Sequence, residues 1–150
     1  MYAKKVKYEG FDGHEVEEVV RFNLTQAEVL NLDLKYEDYG GLMGYYRKMI
    51  TDIKDGEASW KPYVNFLQSV LLAAYGKKLE DGRFVKTLHG ERLSEEFATS
   101  EAYAAVLMPL LTEDGLKELE PMMMGIFPNV SDADYEKGKQ QVQADLGLIE

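Results

Sequence analysis

The sequence predicts an α+β, mostly α-helical fold, with an N-terminal β-hairpin followed by about five to six helices in one compact domain. Apolar and charged residues alternate in residues 4–24, which is the two-residue period of strands. After Thr25 the apolar residues recur at helical intervals. Hydrophobic residues make up 45% of 150 residues, and no repeat or linker divides them, so we expect a single domain over 1–150. Its expected parts are the hairpin (about 3–24), a helical part (about 25–128) and a polar C-terminal extension (about 129–150).

The hairpin is predicted from two short segments joined by turn residues. "KKVKY" and "HEVEEVVRFNL" each place apolar side chains on one face, and Asp12-Gly13 between them suits a tight turn that needs a positive φ. The first arm carries lysines and the second arm carries glutamates, so opposite charges can pair across the strands if the register allows it.

Three helices are expected next. Thr25 and Glu28 form a capping box, so the first helix starts at about Gln26 and runs out near "KYEDYGG". The second helix covers about Leu42 to Ile53, with an apolar stripe typical of a core helix. The third begins near residues 59–61, accommodates Pro62 in its first turn and ends with Gly76 as its C-cap.

The rest of the chain is expected to hold a turn and shorter helices. Asp81-Gly82 turns the chain into a short extended piece. A helix then begins at Ser94, capped by that hydroxyl, with an interruption around Thr99-Ser100. Pro109 should mark a kink or a helix end. A short apolar helix bounded by Pro121 and Pro128 follows, and a polar segment over 132–143 comes last.

Charge and composition argue against several classes of partner. The formal net charge of −10 repels phosphate backbones and anionic headgroups, so neither nucleic acid nor membrane is an expected partner. There is no cysteine, which excludes disulfides and thiolate chemistry, and no apolar run long enough to span a bilayer. We therefore expect a soluble cytosolic protein.

No constellation of catalytic or metal-ligating residues is evident. His14 and His89 lack a second ligand at helical spacing, and both are expected to face solvent. The acidic stretch from Asp132 resembles the start of a calcium loop, but lysine and glutamine occupy its sixth and twelfth positions. Adjacent glutamates such as Glu17-Glu18 point in different directions and cannot act on one substrate. We expect no cofactor, no metal and no enzyme, although scattered carboxylates gathered in space stay a weaker alternative.

Five pieces of sequence in one order carry a resemblance to a known family. They are "KKVKYEGFDGHEVEEVVRFNLTQAEV", "GGLMGYYRKMITDIKDG", the Tyr75-Gly76 pair, "EDGRFVK" and "LSEEFATSEAYAAVLMPLL". Together they resemble the tail assembly chaperones of long-tailed (siphovirus-type) phages and prophages of Gram-positive bacteria, from about Tyr2 to Pro128. The stretch "EASWKPYVNFLQ" is more aromatic than the family pattern, and the extension after Pro128 has no counterpart in it.

The resemblance implies a non-catalytic function. Such a chaperone binds the phage tape measure protein, keeps it soluble and promotes polymerisation of the tail tube around it. The implied partners are the tape measure protein and the major tail (tube) protein, the latter through a frameshifted longer form, with self-association as a further option. The implied location is the bacterial host cytoplasm, with no place in the mature virion. The alternative is a small acidic phage or prophage regulatory or anti-host protein-interaction module.

The client-binding residues are expected in the apolar C-terminal segment. Three consecutive methionines cannot all face one core on a helix, so at least one should be exposed or lie in an interface. Flexible thioethers also suit a surface that accepts many helical clients. A helix that simply closes the core is an equally good interpretation. The expected partner-binding residues are Leu107, Leu110, Met122, Met123, Met124, Ile126 and Phe127.

Overall fold

The computed structural model describes residues 1–54, 56, 60–112 and 114–127, so the predicted extension and the calcium-loop-like stretch lie outside the described residues. The chain divides into two compact units. The first comprises Met1–Leu24 and Leu67–Phe127, and the described part of the second is Thr25–Phe66. In chain order the elements are β1 (Tyr2–Glu9), β2 (Glu15–Phe22), α1 (Gln26–Lys35), α2 (Leu42–Lys54), α3 (Trp60–Ala74), β3 (Tyr75–Lys78), β4 (Phe84–Val85), β5 (Thr87–Leu88), β6 (Glu91–Arg92), α4 (Leu93–Ala98), α5 (Glu101–Leu110) and α6 (Gly115–Ile126).

The N-terminal hairpin is confirmed. Strands β1 and β2 pair antiparallel from Tyr2 opposite Phe22 to Glu9 opposite Glu15. Gly13 adopts the positive φ, +83°, that the turn requires. The expected cross-strand charge pairs also form, since Glu17 lies 2.5 Å from Lys5 Nζ and 3.5 Å from Lys7 Nζ.

The hairpin is extended into a four-stranded sheet in the order β1-β2-β3-β4, and β5 and β6 form a separate small hairpin. The prediction that Gly76 caps α3 is wrong. The helix ends at Ala74, whose carbonyl accepts from Asn23 N at 2.8 Å, and Gly76 lies in β3 opposite Arg21. A Cβ at Gly76 would lie 2.6 Å from the Val85 carbonyl oxygen, so close strand packing requires the glycine.

Two predicted helix boundaries in this unit are corrected. Ser94 does not cap α4: the helix begins at Leu93, whose N–H donates to the Lys86 carbonyl, so the chain enters the helix directly from β6. Pro121 does not bound α6 but lies inside it. Pro121 and Lys117 are both exposed on that helix, so water can bond the Lys117 carbonyl that Pro121 leaves without an N–H donor.

Other boundaries are confirmed. Helix α5 ends at Leu110, one residue after Pro109, and the break before it falls at Thr99-Ser100 as expected. Ser100 caps α5 by accepting a hydrogen bond from Tyr103 N at 3.2 Å.

The core of the first unit lies between one face of the sheet and helices α3 to α6. Aromatic rings join these layers, because Phe97 of α4 stacks on Tyr75 with ring centroids 3.8 Å apart and meets Phe22 edge-on at 5.9 Å. The fully buried side chains around them are Leu24, Leu67, Leu71, Leu110, Leu119, Met122, Met123 and Ile126.

The second unit is organised by caps and aromatic contacts. Helix α1 begins with the predicted capping box between Thr25 and Glu28. Asp33 of α1 accepts a hydrogen bond from Leu42 N at 2.9 Å and so holds the start of α2. Tyr36 stacks on Tyr45 at 4.6 Å between ring centroids. The predicted α2 stripe is buried at Leu42, Tyr46 and Met49.

Candidate interaction surfaces

The residues expected to bind a client are mostly in the interior of the first unit. Helix α6 buries Leu119, Met122, Met123 and Ile126, which recur every three or four residues and form one face. Met124 is the methionine of the three that is only partly covered, as the 100° rotation per residue requires. Six of the seven predicted residues are buried, namely Leu107, Leu110, Met122, Met123, Ile126 and Phe127.

Polar contacts hold α6 against β1. Glu118 accepts hydrogen bonds from the Lys4 ammonium and, at 3.2 Å, from the Tyr2 hydroxyl. The bond from Lys4 lowers the pKa of Glu118, while burial, with the nearby Glu118 charge, raises the pKa of Tyr2 to about 12. At the other end of the helix, Leu24 N donates to the Ile126 carbonyl at 3.0 Å. These contacts hold the face of α6 that carries Met122 and Met123 against the sheet, so that face is not exposed to solvent.

Helix α1 presents apolar side chains to solvent. It contains no buried residue, and Leu30 and Leu34 are 58% and 59% exposed. They lie four residues apart on one face with exposed Ala27, while Val29 and Leu32 are partly covered. This surface was not predicted. A signal was present, because a ten-residue helix with apolar residues on two faces cannot cover both against one neighbour.

The large apolar side chains that are exposed in the described part of the first unit are Met1, Phe11, Val19 and Met108. Phe11, at the tip of the hairpin, is 94% exposed. Met108 on α5 is also exposed, although its neighbour Leu107 is buried. Aromatic residues are enriched in protein interfaces relative to the rest of the surface. The sequence placed Phe11 in the turn but said nothing of its exposure.

The described residues contain no cluster of metal-ligating groups. No three histidine or acidic side chains among them are arranged to hold a metal ion. His14 and His89 are exposed, as expected. Glu17 pairs with lysines of β1, whereas Glu18 accepts from the Tyr8 hydroxyl at 2.6 Å, so the two adjacent carboxylates serve separate contacts. In the part of the chain that the structure describes, no helix is both long and apolar enough to cross a membrane.

Neighbouring exposed apolar side chains, such as Leu30 and Leu34 of α1, mark a candidate surface for binding another protein. The chain matches the family described as phage tail assembly chaperone over residues 1–145, and it belongs to that family. The match continues well past Pro128, so the expectation that the extension has no counterpart in the family is wrong. Membership points to a non-catalytic role and to tail proteins as partners. No curated protein and no solved structure matches the chain.

Proposed function

We propose that this protein binds the tape measure protein, keeps it soluble and promotes polymerisation of the tail tube around it. The observation that carries the proposal is the family match over residues 1–145. The protein would act in the bacterial host cytoplasm and leave before the virion is complete. The second partner would be the major tail protein, recruited through a frameshifted longer form.

The charge and the surface are consistent with this role. A chaperone that holds an aggregation-prone client must itself stay dispersed, and the formal net charge of −10 opposes self-aggregation. It also needs apolar side chains that a client can reach. Leu30 and Leu34 on α1 and the partly exposed Met124 on α6 meet that need.

Two surfaces are candidates for client contact. The first is the C-terminal segment around Met122, Met123 and Met124, of which only Met124 is accessible without movement of α6. The second is the exposed face of α1. Since α1 is a capped helix with an apolar stripe, it could lie along a helical client in the way that amphipathic helices pack.

Co-expression tests the function. The tape measure protein of the same phage should copurify with this chain and show a higher soluble yield in its presence. Absence of both effects would contradict the proposal and favour the regulatory or anti-host alternative.

Matched variants distinguish the two surfaces. The double variant Leu30→Gln with Leu34→Gln replaces the apolar side chains of α1 with glutamine, which is a good helix former. Asn31→Gln, at an exposed position of the same helix, is the control. Met124→Glu tests the C-terminal segment. The variant that loses copurification while keeping the wild-type circular dichroism spectrum identifies the surface, and retention of the client by both would exclude both surfaces.

A further inference from the structure

Strand β1 forms one edge of the four-stranded sheet. It pairs with β2 over its whole length of eight residues, and no other described strand pairs with its outer side. A strand in this position carries backbone N–H and C=O groups that can accept another strand.

The register shows which backbone groups face outward. Gly10 N donates to His14 O at 2.8 Å, so this pair is hydrogen-bonded, and bonded pairs alternate along an antiparallel ladder. The even-numbered residues of β1 therefore bond to β2. Asn23 N bonds to Ala74 O on the β3 side, which gives the same alternation for β2. The outward-facing groups consequently belong to Ala3, Lys5, Lys7 and Glu9.

The middle of the outer edge of β1 is basic, at Lys5 and Lys7, while Glu9 lies at the end of the strand. The side chains of Lys5 and Lys7 are 64% and 62% exposed, and both pair with the single carboxylate of Glu17. Two ammonium groups thus share one carboxylate, although the whole chain carries a formal net charge of −10. An added strand would place its side chains beside these lysines on the side opposite Glu17.

We propose that the outer edge of β1 is a docking site for an extended acidic segment of a partner protein, which adds to the sheet as a fifth strand. Acidic side chains at every second position of that segment would lie opposite Lys5 and Lys7. Backbone hydrogen bonds would supply affinity, and the lysines would select the charge. A second copy of β1 is a poor occupant because its own Lys5 and Lys7 would approach these lysines. The proposal does not depend on binding of the tape measure protein.

Peptides of defined charge test the site on the full chain. An eight-residue peptide that alternates glutamate and valine should bind, and at saturation it should slow amide hydrogen exchange at Ala3, Lys5, Lys7 and Glu9. The same peptide with lysine in place of glutamate should not bind. Equal affinity for the two peptides, or protection confined to other residues, would overturn the proposal.

Two variants separate the contribution of the lysine charges to binding from that of the backbone hydrogen bonds. Lys5→Gln with Lys7→Gln should weaken binding by roughly five-fold, because opposite charges across strands make modest contributions. Lys77→Gln with Lys78→Gln removes the same charge from exposed lysines of β3 and should leave the affinity unchanged. Lys5→Pro removes an outward N–H without touching the ladder to β2 and should abolish binding. If Lys5→Pro does not fold, the proposal is tested by the Lys5→Gln with Lys7→Gln variant and by the comparison of the two peptides.

Measuring the oligomeric state together with amide exchange is a second test of the proposed docking site. A monomer whose β1 amides exchange freely until the acidic peptide is added supports the site. A concentration-dependent dimer that protects the same amides without peptide would assign the edge to a second copy and overturn the proposal.

Discussion

At Gly13 the backbone has a φ of +83°, whereas Gly76 lies in a strand against the Val85 carbonyl. The need for glycine at position 13 could be predicted from the Asp-Gly pair, because a tight turn is signalled by neighbouring residues. The need for glycine at position 76 could not, since it depends on how closely the short strand β4 packs against β3, and the sequence predicts a helix end rather than a strand at Gly76. Met123 and Met124 differ in the same way: the helical period separates them, but only packing determines which is buried.

Replacing Gly13 with valine should lower the free energy of unfolding by about 1–2 kcal/mol, because a β-branched residue disfavours positive φ. Chemical denaturation measures the change. Gly13→Asn is the control, as asparagine tolerates this conformation and should cost less. An unchanged midpoint for the valine variant would contradict the turn assignment.

Met123→Glu should unfold the protein or lower its stability by about 4 kcal/mol, because the side chain is 0% exposed and a buried carboxylate would have no partner. Met124→Glu at the partly exposed neighbouring position should keep the melting temperature within a few degrees. Thermal melts of the two variants measure the difference. If both melt like the wild type, the packing of α6 is wrong.

Among the elements, those with local start and stop signals were predicted best. Helix α1 begins at its capping box, α5 ends beside Pro109, and both hairpin strands end within two residues of the predicted segments. The wrong boundaries, at Gly76, Ser94 and Pro121, are places where tertiary contacts or solvent satisfy the backbone instead of the local residue. The β5–β6 hairpin was missed because its strands have only two residues each.

Thr25→Ala should reduce the free energy of unfolding by about 1 kcal/mol, since the N–H of Glu28 loses the hydroxyl that accepts its hydrogen bond at 3.2 Å. Urea denaturation gives the value. Thr25→Ser keeps the hydroxyl and should behave like the wild type. A serine variant as unstable as the alanine variant would show that the cap is not what stabilises α1.

On the scale of the whole molecule, contacts between distant parts of the sequence hold the first unit together. Lys4 and Glu118 are 114 positions apart, yet their ion pair joins the first strand to the last described helix. The pair involves common surface residue types and has no periodic signature. Nothing in the sequence could therefore have predicted it.

The Glu118 contact predicts a pH dependence. Its folded pKa is lowered, chiefly by the bond from Lys4, so its contribution to stability is present above the ordinary value of 4.5 and is lost as the pH falls through the lower folded value. The difference between the melting temperatures at pH 7 and pH 3 should therefore be smaller for Glu118→Gln than for the wild type. The effect should be small because the side chain is 39% exposed. Glu120→Gln, an exposed position on α6, is the control and should leave the difference unchanged.

The sequence by itself determined the hairpin, the capping box of α1, the order of most helices and the absence of recognisable catalytic motifs, because period, turn chemistry and composition act over a few neighbouring residues. Its resemblance to the tail assembly chaperones also agrees with the family match. The tertiary structure alone decided that the methionine face of α6 is buried, that Leu30 and Leu34 are exposed and that β1 is an edge strand. Burial depends on which surfaces meet, and residues far apart in the chain determine that.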